Sequence, residues 1–162
     1  MIYSIIVYER FSGLLILEKT YKSINVPLNL VPGFFVAIKS FFSEVFEKSN
    51  RRDMAIQYDD HVLVIMSVKD IDVDVIIICD REDMYFVESV LPELDRIILK
   101  YQRFFDVFAK KCTIEDEIEL IIVDISRLIE SQNNISNPYS GIIEFREGIT
   151  RSSIIRSINI GE

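Results

Sequence analysis

Four aspartates frame one apolar run in DIDVDVIIICD, residues 70–80. Carboxylates at alternate positions are a way to hold a hard divalent cation. Asp70, Asp72 and Asp74 imitate the start of a calcium loop. Such a loop needs glycine at its sixth position and a bidentate glutamate at its twelfth, and Val75 and Arg81 stand there instead. On a strand Asp72 and Asp74 point to one side, which leaves a weak carboxylate pair. The expectation is a solvated strand entrance. The alternative is a small-ligand or divalent-metal-binding domain, an enzyme of some kind, that uses Asp70–Asp74. Asp80 cannot join those acids, because the intervening strand spans roughly 16 Å or more. It is expected to cap a helix, with Asp83 three residues on.

His61 is the only histidine, so any triad or histidine-based metal site has to use it. It sits beside an expected hairpin turn, where polar residues are ordinary. A Cys79–His61 dyad needs the fourth and fifth strands to pair, yet no cation or helix N-terminus is placed to lower the thiol pKa. The five glycines form neither GxGxxG nor GxxxxGK[ST], and HExxH and GxSxG are missing. The sequence therefore predicts no catalytic residue, no metal site and no cofactor.

Five strands and three helices are expected. Residues 2–8 and 14–20 form a hairpin turned by ERFSG, with Gly13 at positive φ. Pro32 opens the first helix, GFFVAIKSFFSEVFEKS. Residues 53–58 and 61–67 make a second hairpin around Asp59–Asp60, and 73–79 the fifth strand. Helical periodicity covers 83–108, with a kink or restart at Pro92. A third helix spans 114–130, with Thr113 as its N-cap. VLVIM and VIIIC are continuous apolar runs, so both faces of the sheet must be covered. The fold class is α+β: a five-stranded antiparallel sheet in the order β-β-α-β-β-β-α-α, with one helix on one face and two on the other. The first and fifth strands are central, and the second is an edge. Residues 1–130 form the domain. Residues 131–162 are polar and turn-rich, a C-terminal extension that packs on the body or on a partner, with GIIEF as a short strand.

The chain has 162 residues, nearly half of them hydrophobic, and a net charge of −8. That balance disfavours nucleic acid, whose phosphates need a basic face. Two distant cysteines and no leader suggest a reducing, cytoplasmic compartment. No apolar stretch is expected to reach the roughly 18 residues of a membrane span.

The first helix exceeds its structural needs. Its apolar positions cover an arc of roughly 180°, where a helix lying on a sheet needs about 100°. Phe34, Ile38, Phe41 and Val45 fall on one line, and Phe35, Phe42 and Phe46 form the overhanging side. Either a loop or the tail covers them, or they mark a contact, as clusters of exposed aromatics usually do. Leu120 and Val123 are a smaller excess on the third helix.

The element order resembles the longin domain, a relative of the roadblock fold, and VPGFFVAIKSFFSEVF is similar to the first helix of archaeal longin-like proteins. The resemblance covers roughly residues 1–130. It implies a non-catalytic scaffold or regulator of a small Ras-like GTPase or trafficking-type complex, acting as a homo- or heterodimer with another longin or roadblock protein. Longin domains present the first helix and an edge strand to partners. Here those would be Phe35, Lys39, Phe42 and Phe46 with Leu14 and Ile16. Membrane association would come only through partners. No SNARE heptad follows the domain, which disfavours vesicle fusion.

Overall fold

The computed structural model describes residues 1–25, 27–45, 53–108, 115–136 and 157–159. Strands β1 (Ile2–Glu9) and β2 (Leu15–Thr20) form the first hairpin, and helix α1 (Val31–Val45) follows a single 3₁₀ turn. Strands β3 (Met54–Tyr58), β4 (His61–Ser67) and β5 (Val73–Asp80) come next. Helices α2 (Met84–Lys100), α3 (Gln102–Phe108) and α4 (Glu115–Ser136) precede a short strand β6 (Ser157–Asn159). The sheet order is β2-β1-β5-β4-β3-β6. The first five strands pair antiparallel, as expected, with β1 and β5 flanked on both sides and β2 at an edge. Strand β6 is an addition that the sequence does not predict, and it runs parallel to β3. GIIEF and Thr113 lie outside the described residues.

The continuous apolar runs divide between two cores by strand alternation. Ile5, Val7, Val64, Met66, Val75, Ile77 and Cys79 face the side packed by Val90, Leu94 and Ile98 of α2 and Ile121, Ile125 and Ile129 of α4. Ile6, Tyr8, Ile65 and Ile76 face the other side, where Phe35 of α1 closes a smaller cluster. Helix α1 thus covers one face, and α2 and α4, with Phe104 and Phe105 of α3, cover the other. Pro92 is carried inside α2, and the chain breaks instead at Tyr101, where φ −102° and ψ 21° leave the helical region. Helix α4 continues past Glu130 to Ser136.

Segment Leu28–Val45 is 18 residues long and apolar enough, by length and composition, to cross a membrane, which corrects the expectation that no stretch reaches that length. In the fold it lies across the sheet. Its N-terminal end is set by a close approach. Gly13, at φ +70°, lies so near α1 that a Cβ there would stand 3.0 Å from the Gly33 Cα and N. The turn is fixed by Glu9, whose carboxylate accepts hydrogen bonds from the Phe11 and Ser12 N–H groups at 3.1 and 2.6 Å. Gly13→Ala therefore meets both a left-handed backbone and the α1 main chain. Its expected cost is about 1–3 kcal/mol in a urea titration.

Candidate interaction surface

The acidic run that opens the fifth strand is a solvated entrance only in part. Asp74 is 0% exposed, although Asp70 and Asp72 are exposed. Its neighbours across the sheet are Tyr8 on β1 and Ser67 on β4. Lys39 reaches down from α1 and donates to Asp74 Oδ2 at 2.5 Å and to Ser67 Oγ at 2.8 Å. Arg10, just past β1, donates from Nε to Asp74 Oδ1 at 2.8 Å and from Nη2 to the carbonyls of Val68 and Val73. Tyr8 Oη donates to Oδ2 at 3.2 Å. Burial, then the adjacent carboxylate, holds the Tyr8 phenol far above its ordinary range, so it stays a donor. Both oxygens of Asp74 are thus engaged by cations. A divalent ion would have to displace Arg10 and Lys39, so the cluster is a structural ion network and not a metal site. Among the described residues no group of three or more histidine, cysteine, aspartate or glutamate side chains could hold a metal.

The other sequence candidates for chemistry separate. Cys79 is buried against α2 and α4, and burial pushes its thiol up to about 11. His61 precedes Val62, the residue paired with Cys79, so its side chain leaves the opposite face of the sheet. Its ring lies tilted against Tyr3, with centroids 5.4 Å apart and planes at 51°. Asp80 stands before the 3₁₀ turn that leads into α2 but makes no side-chain cap. It accepts instead from the Met1 amino group and from Tyr3 Oη, each at 2.8 Å. The groove between α2 and α4 is lined by charges that satisfy one another. Lys100 and Tyr101 donate to Asp124 at 2.7 and 2.8 Å, and Arg96 pairs with Glu93 at 2.8 Å.

Lys39 also decides which way α1 faces. With its ammonium on Asp74, the stripe Phe35–Lys39–Phe42 turns toward the sheet. Phe35 is 2% exposed, while Lys39 and Phe42 are half-buried. The line rotated from it by about 100° faces solvent: Phe34 and Phe41 are each 60% exposed and Val45 53%. This reverses the expectation that Phe35 and Phe42 overhang. The apolar excess is present, but it belongs to Phe34, Phe41 and Val45. Lys39 is an anchor of the helix and does not stand out toward solvent. Phe46 lies outside the described residues. Of the two β2-side candidates, Leu14 is exposed, together with Phe11 in the same turn, whereas Ile16 is buried in the core on the α2 and α4 side. Leu120 and Val123 of α4 are exposed, as expected from their place outside its stripe. Periodicity misses the roles of Lys39 and Arg10. The signal that finds them is Asp74 itself, an acid inside a strand whose two faces are both covered.

The chain has the α+β fold expected from the sequence: five antiparallel strands in the order 2-1-5-4-3, extended by the parallel β6, with α1 on one face and α2, α3 and α4 on the other. Among solved structures it is similar to Myxococcus xanthus MglB, at 10% identity and a TM-score of 0.42 over 85% of each chain. It is also similar to the gliding protein MglB from Thermus thermophilus, at 8% and 0.44 over 80% of this chain and 79% of that one. A Roadblock/LC7 domain from Streptomyces avermitilis gives 8% and 0.41 over 83% and 85%. At these values the likeness says nothing about activity or partners. No family model and no curated protein matches the chain.

Proposed function

We propose that this chain is a non-catalytic interaction module, a longin-type regulator or scaffold of a small Ras-like GTPase or trafficking-type complex, working as a homo- or heterodimer in a reducing, cytoplasmic setting. The observation that carries the reading is the outer stripe of α1. Three large apolar side chains on one face of a docked helix, with Phe11 and Leu14 exposed in the turn whose Gly13 lies against Gly33, make apolar surface of the kind that monomers seldom leave in water. The neighbouring strand β2 is an open edge of the sheet among the described residues and can extend the contact through its main chain. Within the reading, residues 1–130 carry the binding surface and 131–162 are an appendage to it. The GTPase as partner rests on the longin resemblance of the sequence.

Phe34→Glu with Phe41→Glu tests it. Neither side chain is buried, so the thermal midpoint stays near the parent's. Self-association, followed by sedimentation velocity, and binding of a purified Ras-like GTPase in its GDP and GTP forms are both expected to be lost. A variant that assembles and binds as the parent does, or a parent that does neither at any attainable concentration, ends the proposal.

A further inference from the structure

The two edges of the sheet are treated differently. At one, β2 closes the order with no further strand among the described residues; at the other, β3 is followed by β6. Ala55, Ile56 and Gln57 stand opposite Ser157, Ile158 and Asn159. A three-residue parallel strand adds little face to a core. What it supplies is partners for the outward N–H and C=O groups of β3. Those groups accept any extended segment in the same register, because main-chain pairing is blind to which chain the strand comes from.

The length of the connection does not force the tail onto β3 of its own copy. Twenty residues, 137–156, separate α4 from β6. That many residues can reach up to roughly 66 Å, against roughly 24 Å across a six-stranded sheet. A segment on so long a connection can pass between copies at little cost, as exchanged strands do. Its charge suits an acidic body: Arg151 and Arg156 precede the strand, while Asp53 and Asp59–Asp60 bracket β3 in sequence and the chain carries a net −8.

We propose that the outer edge of β3 is a strand-accepting surface, with residues 157–159 as its resident ligand and the same segment of a second copy as its ligand in trans. The tether sets the competition. A strand supplied by the same chain competes at an effective concentration of roughly 1 mM, so a trans strand with a Kd of roughly 100 μM is weakened about tenfold. The tail is then a plug that opens the edge only to a second copy at high local concentration. This surface is separate from the outer stripe of α1 and does not depend on the function proposed for it.

A synthetic peptide of residues 150–162, titrated into the isotope-labelled full chain, tests the proposal. The acceptor is compared with and without Ser157→Pro and Ile158→Pro. Adjacent residues of a strand point their N–H groups to opposite sides, so one of the two prolines must remove a ladder donor. The expected result is a shift of the Ala55–Tyr58 amides and an affinity for the proline variant about tenfold or more above that for the unaltered chain. Equal affinity for the two overturns the plug, and no binding to a variant that keeps its β1–β5 resonances overturns the acceptor. Should that variant fail to fold, amide exchange on the unaltered chain decides. The outward amides of β3 should exchange about tenfold or more slowly than those of the open β2 edge, and equal rates overturn the proposal. Phe34→Glu with Phe41→Glu leaves peptide binding unchanged, so a failure at α1 and a failure at β3 are told apart.

Discussion

A chain carrying Arg10→Met and Lys39→Met is expected to lose about 3–5 kcal/mol of stability in urea unfolding. The double change removes both cations from a carboxylate that has no exposed surface, leaving Tyr8 and Ser67 as its neighbours across the sheet. A buried charge without a counter-charge costs far more than the pair contributes. Asp74→Ala should cost less. Lys39 and Arg10 keep 24% and 26% of their side-chain surface in water, so their heads can turn outward on apolar stems when the acid is gone. Replacing all three, with Asp74→Leu added to the two methionines, should recover most of the loss, since a packed apolar substitute often matches a buried ion network. A double variant no less stable than Asp74→Ala contradicts the assignment of the cluster as a sealed network.

The second large effect separates two adjacent phenylalanines. Phe35→Ala is expected to cost about 3–5 kcal/mol, because it empties the centre of the smaller core formed by Ile6, Tyr8, Ile65 and Ile76. Phe34→Ala should stay within about 0.5 kcal/mol, as a change on an exposed helix surface does. The two rings lie 5.3 Å apart, edge to face, so neither value reflects a distant environment. Equal costs, or a reversed order in thermal or urea unfolding, would put α1 on the sheet in a different rotation.

That contrast also marks where the sequence stops being legible. The strands, the central places of the first and fifth and the edge place of the second can be read, because continuous runs such as VLVIM and VIIIC demand a sheet covered on both sides. The hairpin turn at Gly13 can be read because few residues other than glycine accept its φ. The rotation of α1 cannot be read from hydrophobicity, since Phe34 and Phe35 are the same residue type about 100° apart on the helix. What breaks the tie is charge. Lys39 lies one turn beyond Phe35, and Asp74 lies opposite it in a strand with no wet face. Acids commonly mark strand ends, and on that ground the sequence predicts a solvated Asp74; its neighbours Val73 and Val75, however, are both buried. An acid placed between two buried residues on a doubly covered strand demands a cation, and only then does the helix have one way to lie. Strand β6 escapes the sequence for a different reason. Three residues are too few for a periodic signal, and main-chain pairing leaves no mark in side-chain pattern.

The unequal edges of the sheet have a consequence for symmetry. A sheet open on both sides can add copies head to tail without end, which is the geometry of a filament. Here one border is taken up by residues 157–159. Pairing through β2 would then use the same border on both copies, close a two-fold axis, and stop at two. The short parallel strand is in that sense a terminator while it stays on its own copy, and exchanged between copies it would become a link instead.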